Sequence, residues 1–170
     1  MKKLLGITAL SFFGFLASPA HADIAKMYVG LGFTDGTMEL TGADAGDKSL
    51  GTINATVGFQ LMSFLGLELE LGSSSDQPGS MLSEPLVQYQ AAMVRLGYRF
   101  DRAGFYLLGG QARLDVDKRL NTVDAGTAVG GGINFFGSET TALNLHVLSL
   151  DGGTFTTASV GVQYYFGGFR

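Results

Sequence analysis

The feature that most constrains this chain is an alternation of apolar residues with small or polar residues, repeated in eight segments. In segment 65–72, for example, four leucines alternate with glycine and glutamate. A period of two residues is the spacing of a β-strand, whose successive side chains point to opposite faces. The segments are 27–34, 52–61, 65–72, 94–100, 106–114, 129–135, 142–147 and 157–166. The sequence therefore predicts an all-β protein of eight strands.

The residues between the apolar positions are unusual for a soluble protein. They are mostly Gly, Ser, Thr, Asn and Gln, and only 15% of the chain is charged, whereas soluble domains carry about 25%. An inverted arrangement accounts for this pattern, because an apolar stripe can face lipid while small polar residues fill the narrow interior of eight strands. Closure also pairs every backbone group within hydrocarbon. We predict an eight-stranded antiparallel, up-and-down transmembrane β-barrel; a soluble, lipocalin-like barrel is the alternative.

Residues 1–22 have the three parts of a secretory signal peptide. Two lysines follow the first methionine, residues 4–16 are mainly apolar, and the sequence Ala-His-Ala at 20–22 offers small residues at a cleavage site. The apolar run is shorter than the ~20 residues that a membrane-spanning helix needs. We therefore predict export with cleavage after Ala22, followed by a barrel domain over residues 23–170.

The lengths of the connections predict the orientation of the barrel. Long connections (35–49, 73–85 and 115–125) alternate with short ones (62–64, 101–104 and 136–140), and the shorter connection 151–154 falls on the long side. Short turns face the periplasm in barrels of the outer membrane, and longer loops face outward. Five aromatic residues then lie at the periplasmic ends of their strands and are predicted to form one girdle: Tyr98, Phe100, Phe135, Tyr164 and Phe166.

Several segments resemble the small outer-membrane β-barrel superfamily, which includes the OmpA transmembrane domain and the OmpX/Ail-type proteins. They are the first strand MYVGLGFT, the Gly-rich LGYRF and FYLLGGQARL, and the last strand ASVGVQYYF. The resemblance implies location in the outer membrane of a Gram-negative cell. It also implies periplasmic chaperones and the outer-membrane assembly machinery as partners during biogenesis. Members commonly end on Phe; here Phe166 or Phe169 is expected to act as that assembly signal, although Arg170 ends the chain.

Five charged residues are predicted to face the lumen. Glu68 and Glu70 share one face of the third strand, Arg95 and Arg99 share one face of the fourth, and Arg113 lies on the fifth. An isolated charge in a narrow lumen is strongly disfavoured, so we expect these residues to pair across neighbouring strands. We interpret the set as a structural network that fills the lumen. A gate on a restricted ion path, similar to the charged plug proposed for the OmpA barrel, is the alternative.

No catalytic, cofactor or metal site is predicted. The chain has no Cys, and its Gly run at 130–132 lacks the lysine of a phosphate-binding loop. Lipid A deacylases resemble this chain in architecture and use a Ser-His-acid set, but their His and Ser are two residues apart. Here His146 and Ser149 are three apart and the last strand carries no acid. The neighbouring Glu68 and Glu70 suggest a glycosidase pair, but eight strands enclose no substrate cleft.

The sequence thus indicates a monomeric outer-membrane barrel with a structural or surface-interaction role and no enzyme activity. A narrow, low-conductance pore and a deacylase-like enzyme that modifies lipid A are the alternatives. Outer-membrane lipid and lipopolysaccharide are the predicted partners, with divalent cations as a hypothetical bridge to lipopolysaccharide phosphates. Nucleic acid is excluded, because acidic residues outnumber basic ones in the long connections and would repel anionic polymers.

Overall fold

The computed structural model describes residues 26–40, 46–75, 87–116 and 126–166. Eight antiparallel strands form one closed barrel, in which each strand pairs with the next and the last pairs with the first. The predicted all-β, eight-stranded architecture is confirmed. The strands are β1 (Lys26–Leu40), β2 (Gly46–Gln60), β3 (Leu65–Ser75), β4 (Val87–Phe100), β5 (Ala103–Val116), β6 (Gly126–Phe136), β7 (Thr141–Leu150) and β8 (Phe155–Phe166).

The barrel has two different ends. Short turns at 61–64, 101–102 and 137–140 join strands at one end, which we call the inner end. The connections 41–45, 76–86 and 117–125 lie outside the described residues, as does the predicted signal peptide, and they belong to the opposite, outer end. The fourth outer-end connection is a tight turn. It needs positive φ at Asp151 (51°), Gly152 (68°) and Gly153 (110°), a conformation that glycine adopts without steric cost.

An apolar surface surrounds the inner part of the barrel. Outward-facing leucine, valine, isoleucine and phenylalanine side chains are exposed on all eight strands, as lipid contact requires. Aromatic residues lie at the inner end, where Tyr98 contacts Phe100 at 4.8 Å between ring centres and Tyr164 contacts Phe166 at 5.2 Å. All five residues of the predicted girdle are exposed there, and Phe105 joins them. Among the described residues, no helix is long and apolar enough to cross a membrane.

The outer surface changes character near the outer end. On β4 the outward positions change from Val94 and Leu96 to Gln90 and Gln88, and on the other strands the outermost described positions are likewise polar or small. We call the polar side chains among them the outer polar belt: Asp35, Thr37, Ser73, Gln88, Gln90, Gln111, Arg113, Asp115, Thr127, Ser149 and Thr156.

At the outer end, the lumen becomes apolar where the outer surface becomes polar. Apolar side chains that are each at most 1% exposed occupy most of the lumen there, beside the buried hydroxyls of Thr52, Ser74 and Thr157. The apolar cluster continues inward into Ala91, Met93, Leu108 and Ala112. The outer end therefore has the polarity of a soluble barrel, apolar inside and polar outside, whereas the remainder is inverted. We call the following residues the apolar plug: Leu50, Val87, Leu114, Ala128, Leu148, Leu150 and Phe155.

The predicted orientation of β5 is wrong, and with it the placement of Arg113 in the lumen. Arg113 is exposed on the outer surface, opposite Gln90 of β4. Both faces of β5 are apolar along much of its length, as at Leu107 and Leu108, so alternation does not identify the inward face. Pairing with β4 and completion of the plug by Leu114 determine the orientation.

Two inward glycines make room for tyrosine rings. A methyl group at Gly58 would overlap the ring of Tyr28, and one at Gly72 would overlap the ring of Tyr89. We expect Gly58→Ala to lower the free energy of unfolding by about 1–3 kcal/mol, because overpacking forces a neighbour to shift. Urea unfolding in lipid vesicles measures this change. Gly109→Ala is the matched control, since its added methyl group would meet no atom within 4 Å; equal losses in both variants would contradict the prediction.

Candidate functional site

A buried ion pair lies in the inner part of the lumen. The Arg95 guanidinium is 2.8 Å from a carboxylate oxygen of Glu68, and their side chains are 14% and 1% exposed. The same nitrogen donates a hydrogen bond to the Tyr28 hydroxyl at 2.8 Å, and that hydroxyl donates to Glu68. Arg95 also stacks on Tyr106, 3.6 Å from the ring centre. The two opposite charges are therefore paired and hydrogen-bonded, which is the condition for burying them.

A second carboxylate lies further toward the outer end. Glu70 accepts hydrogen bonds from the Tyr89 hydroxyl at 2.6 Å and from the Asn54 amide at 2.9 Å. Its other oxygen is 3.4 Å from Nε2 of His146. Nδ1 of that histidine lies 3.1 Å from the Ser159 hydroxyl. Glu70 thus has polar partners on β2, β4 and β7.

Amide side chains connect the two carboxylate clusters. The Asn144 amide donates to the Tyr106 hydroxyl and to the Asn134 carbonyl oxygen, both at 2.6 Å. The Asn134 amide in turn donates to Tyr165 at 2.6 Å and to Gln163 at 3.0 Å. Since Tyr106 stacks on Arg95, contacts run without a break across the inner lumen. We call this set, together with the two carboxylate clusters, the lumen network.

The structure places the five predicted site residues in three different environments. Glu68, Glu70 and Arg95 belong to the lumen network, and Glu68 pairs with Arg95 across β3 and β4. Arg99 faces inward at the inner end, where its guanidinium stacks on the Phe136 ring at 3.8 Å and its Nε donates to the Asp101 carbonyl at 3.4 Å. Arg113 lies on the exterior.

Sequence reasoning missed the tyrosines and amides that solvate these charges. Tyr28, Tyr89, Tyr106 and Tyr165 all point inward. The signal was available for Tyr28, because it shares the face of Gly30 and Gly32 within a clear alternation. The inward position of Tyr106 could not be predicted, because both faces of β5 are apolar along much of the strand.

The plug changes the expected filling of the lumen. Polar and charged side chains are predicted throughout, but in the described strands the buried charged groups lie only in the inner part. In the outer part the buried polar side chains are three hydroxyls, those of Thr52, Ser74 and Thr157. These hydroxyls are surrounded by the Leu, Val, Ala and Phe side chains of the plug, which carry no hydrogen-bonding group. A hydrated path through the plug would offer water and ions few polar partners, because two of the three hydroxyls, those of Thr52 and Ser74, are already 2.6 Å apart.

The candidate deacylase residues do not come together. His146 points into the lumen and Ser149 occupies an outward position of β7, as a spacing of three dictates for a regular strand. Ser159, not Ser149, contacts His146, and Glu70 lies on the far side of the ring. Each of these three residues is at most 6% exposed, so a bulky acyl substrate has no access to them. Within the described strands and turns, no group of three His, Cys, Asp or Glu side chains could hold a metal ion.

Comparison with known families agrees with this architecture. The sequence model of the outer membrane protein beta-barrel domain family matches residues 7–166. The chain belongs to that family. Membership places the protein in the outer membrane of Gram-negative bacteria, among barrels of the OmpA-like type. No curated protein matches the sequence significantly.

Solved structures show the same fold at low sequence identity. The N-terminal β-barrel domain of Pseudomonas aeruginosa OprF is 13% identical, with a TM-score of 0.58, over 82% of this chain and 97% of that one. Ail, the attachment invasion locus protein of Yersinia pestis, in complex with the heparin analogue sucrose octasulfate, is 14% identical with a TM-score of 0.54, over 84% and 99%. A designed transmembrane β-barrel is 12% identical with a TM-score of 0.54, over 85% and 97%. This member of the outer membrane family therefore shares its barrel with proteins of differing roles.

Proposed function

We propose that this outer-membrane barrel has a structural or surface-interaction role, without conducting ions and without enzyme activity. The observation that carries the proposal is the apolar plug, whose side chains are at most 1% exposed across the outer end of the lumen. An eight-stranded barrel has an interior just wide enough for side chains to fill. The plug fills the outer part and leaves the outer surface and connections to meet the exterior.

Two features disfavour the alternative of a narrow pore. An ion that crosses the plug would lose its hydration and meet no opposite charge there among the described residues, which is strongly unfavourable in an apolar medium. The charged groups in the inner lumen are also engaged with one another, since Arg95 is paired with Glu68 and stacked on Tyr106. Neither layer offers a continuous polar path.

The proposed biogenesis partners are periplasmic chaperones and the outer-membrane assembly machinery. Phe166 ends β8 and faces outward, where a terminal aromatic side chain is accessible before insertion. Phe169, the other candidate assembly signal, lies outside the described residues. Lipid and lipopolysaccharide are the proposed partners of the finished barrel.

Planar-bilayer recording tests the proposed closed state. We expect the purified protein, inserted in a lipid bilayer in concentrated KCl, to give no steady current above the lipid baseline. The difference in gel mobility between heated and unheated samples checks that the protein added to the bilayer is folded. A steady current that scales with KCl concentration, and whose ion selectivity changes in Glu68→Gln, would replace the proposal with a pore.

A further inference from the structure

We propose that Arg113 and its neighbouring glutamines bind the phosphorylated glucosamine headgroup of lipopolysaccharide in the outer leaflet. The patch lies on the outer faces of β4 and β5, where Gln90 pairs with Arg113 in the register. Gln111 precedes Arg113 by one outward position, and Gln88 lies opposite Asp115. The side chains of these five residues, Arg113, Asp115 and the three glutamines, are all exposed. This inference rests on the proposed partnership with lipopolysaccharide, for which it names a binding site, and is independent of whether the lumen conducts.

The patch begins where the apolar surface ends. Along one register row, Leu71 of β3, which is 55% exposed, pairs with Gln90, and Gln90 pairs with Arg113. Toward the inner end, the second outward-facing residue after Gln90 on β4 is Val94, and the second after Arg113 on β5 is Gly109. The outer surface at these two positions is apolar or lacks a side chain. Arg113 is therefore the first outward charge of β5 above the region of the acyl chains. Lipid A carries its phosphates and sugars directly above its acyl chains, so the end of the apolar surface is the position at which we infer its headgroup to meet the barrel.

The chemistry of the patch fits a sugar phosphate. Arginine presents several N–H donors in a planar fork that matches phosphate oxygens, and glutamine amides can donate to and accept from sugar hydroxyls. Arg113 forms no ion pair with any residue that the structure describes. Asp115, the acidic residue on the same face, lies one outward position further from the lipid region. A phosphate can therefore approach Arg113 from the lipid side.

The surface beneath the patch leaves space for an acyl chain. A methyl group added at Gly109 would meet nothing within 4 Å, and Ala92 lies opposite Gln111 on the neighbouring strand. Toward the inner end, a shallow depression of the outer wall is lined by Leu96, Leu107 and Ile133. An acyl chain can lie along this surface while its headgroup contacts Arg113.

Titration of the detergent-solubilised full-length protein with defined lipids tests the proposal. Native mass spectrometry measures binding of bisphosphorylated lipid A, dephosphorylated lipid A and phosphatidylglycerol to the wild type and to Arg113→Gln. We expect Arg113→Gln to weaken binding of bisphosphorylated lipid A by about tenfold, the effect of losing one charge-assisted hydrogen bond. Arg102→Gln is the matched control, because Arg102 is exposed in the inner-end turn.

Each outcome of the titration has a defined meaning. Weaker binding in Arg113→Gln alone, with bisphosphorylated lipid A preferred over the other two lipids, supports the proposal. Equal binding by wild type and Arg113→Gln overturns it. Equal binding of dephosphorylated lipid A by the wild type overturns phosphate recognition, and equal binding of phosphatidylglycerol overturns selectivity for the glucosamine headgroup. The shift in gel mobility on heating confirms that each variant is folded.

Discussion

We expect Arg95→Met to lower the free energy of unfolding by about 3–5 kcal/mol, the loss that follows removal of one partner from a buried ion pair. The change leaves the Glu68 carboxylate 1% exposed with Tyr28 as its remaining donor. It also removes the cation that stacks on Tyr106. The buried carboxylates of Glu68 and Glu70 would remain, and Glu68 would have lost its cationic partner. Measurement is by urea unfolding of the protein refolded in phospholipid vesicles, followed by circular dichroism because the chain has no Trp.

A double variant separates loss of the pair from loss of packing. Glu68→Gln with Arg95→Met removes both charges, so we expect it to be more stable than Arg95→Met alone, as a coupled pair requires. Arg102→Met, in the exposed turn between β4 and β5, is the control and should change stability by less than about 0.5 kcal/mol. If Arg95→Met is as stable as the wild type, the ion pair does not stabilise the barrel.

The fold was predictable because lipid and a narrow lumen place opposite demands on alternate residues. On seven strands a clear period of two identified the lipid-facing side correctly, including the alternation around Leu69 and around Val162. The positions of Glu68, Glu70 and Arg95 on the inner side followed from the same parity. Their partners did not, because cross-strand contacts depend on the register, which the sequence leaves open.

The polarity of the outer end was not predicted, and its physical cause lies in the membrane itself. A uniform inversion assumes that hydrocarbon surrounds the whole barrel. The change to apolar side chains inside and polar ones outside indicates that the strands extend past the hydrocarbon, since this is the arrangement that water favours. At the outer end of β5, Leu114 is buried inside the barrel and Arg113 is exposed outside, as in a soluble protein. Further inward on the same strand, Leu107 is exposed on the outer surface, as in a lipid-facing barrel. Because this boundary falls within β5, the alternation of its sequence does not identify which face of the strand points inward.

The plug should behave like the core of a soluble protein, and Phe155→Ala tests this directly. Phe155 is fully buried and contacts Tyr89, with ring centres 5.8 Å apart. We expect Phe155→Ala to lower the free energy of unfolding by about 3–5 kcal/mol, because it loses the transfer free energy of the ring and leaves a cavity. The measurement is the same urea titration in vesicles. Val160→Ala, on the lipid-facing side of β8, is the control and should cost much less, since acyl chains can fill the space that the valine leaves. A loss in Phe155→Ala no larger than in Val160→Ala would mean that the outer lumen is loosely packed, and the argument for a sealed barrel would fail with it.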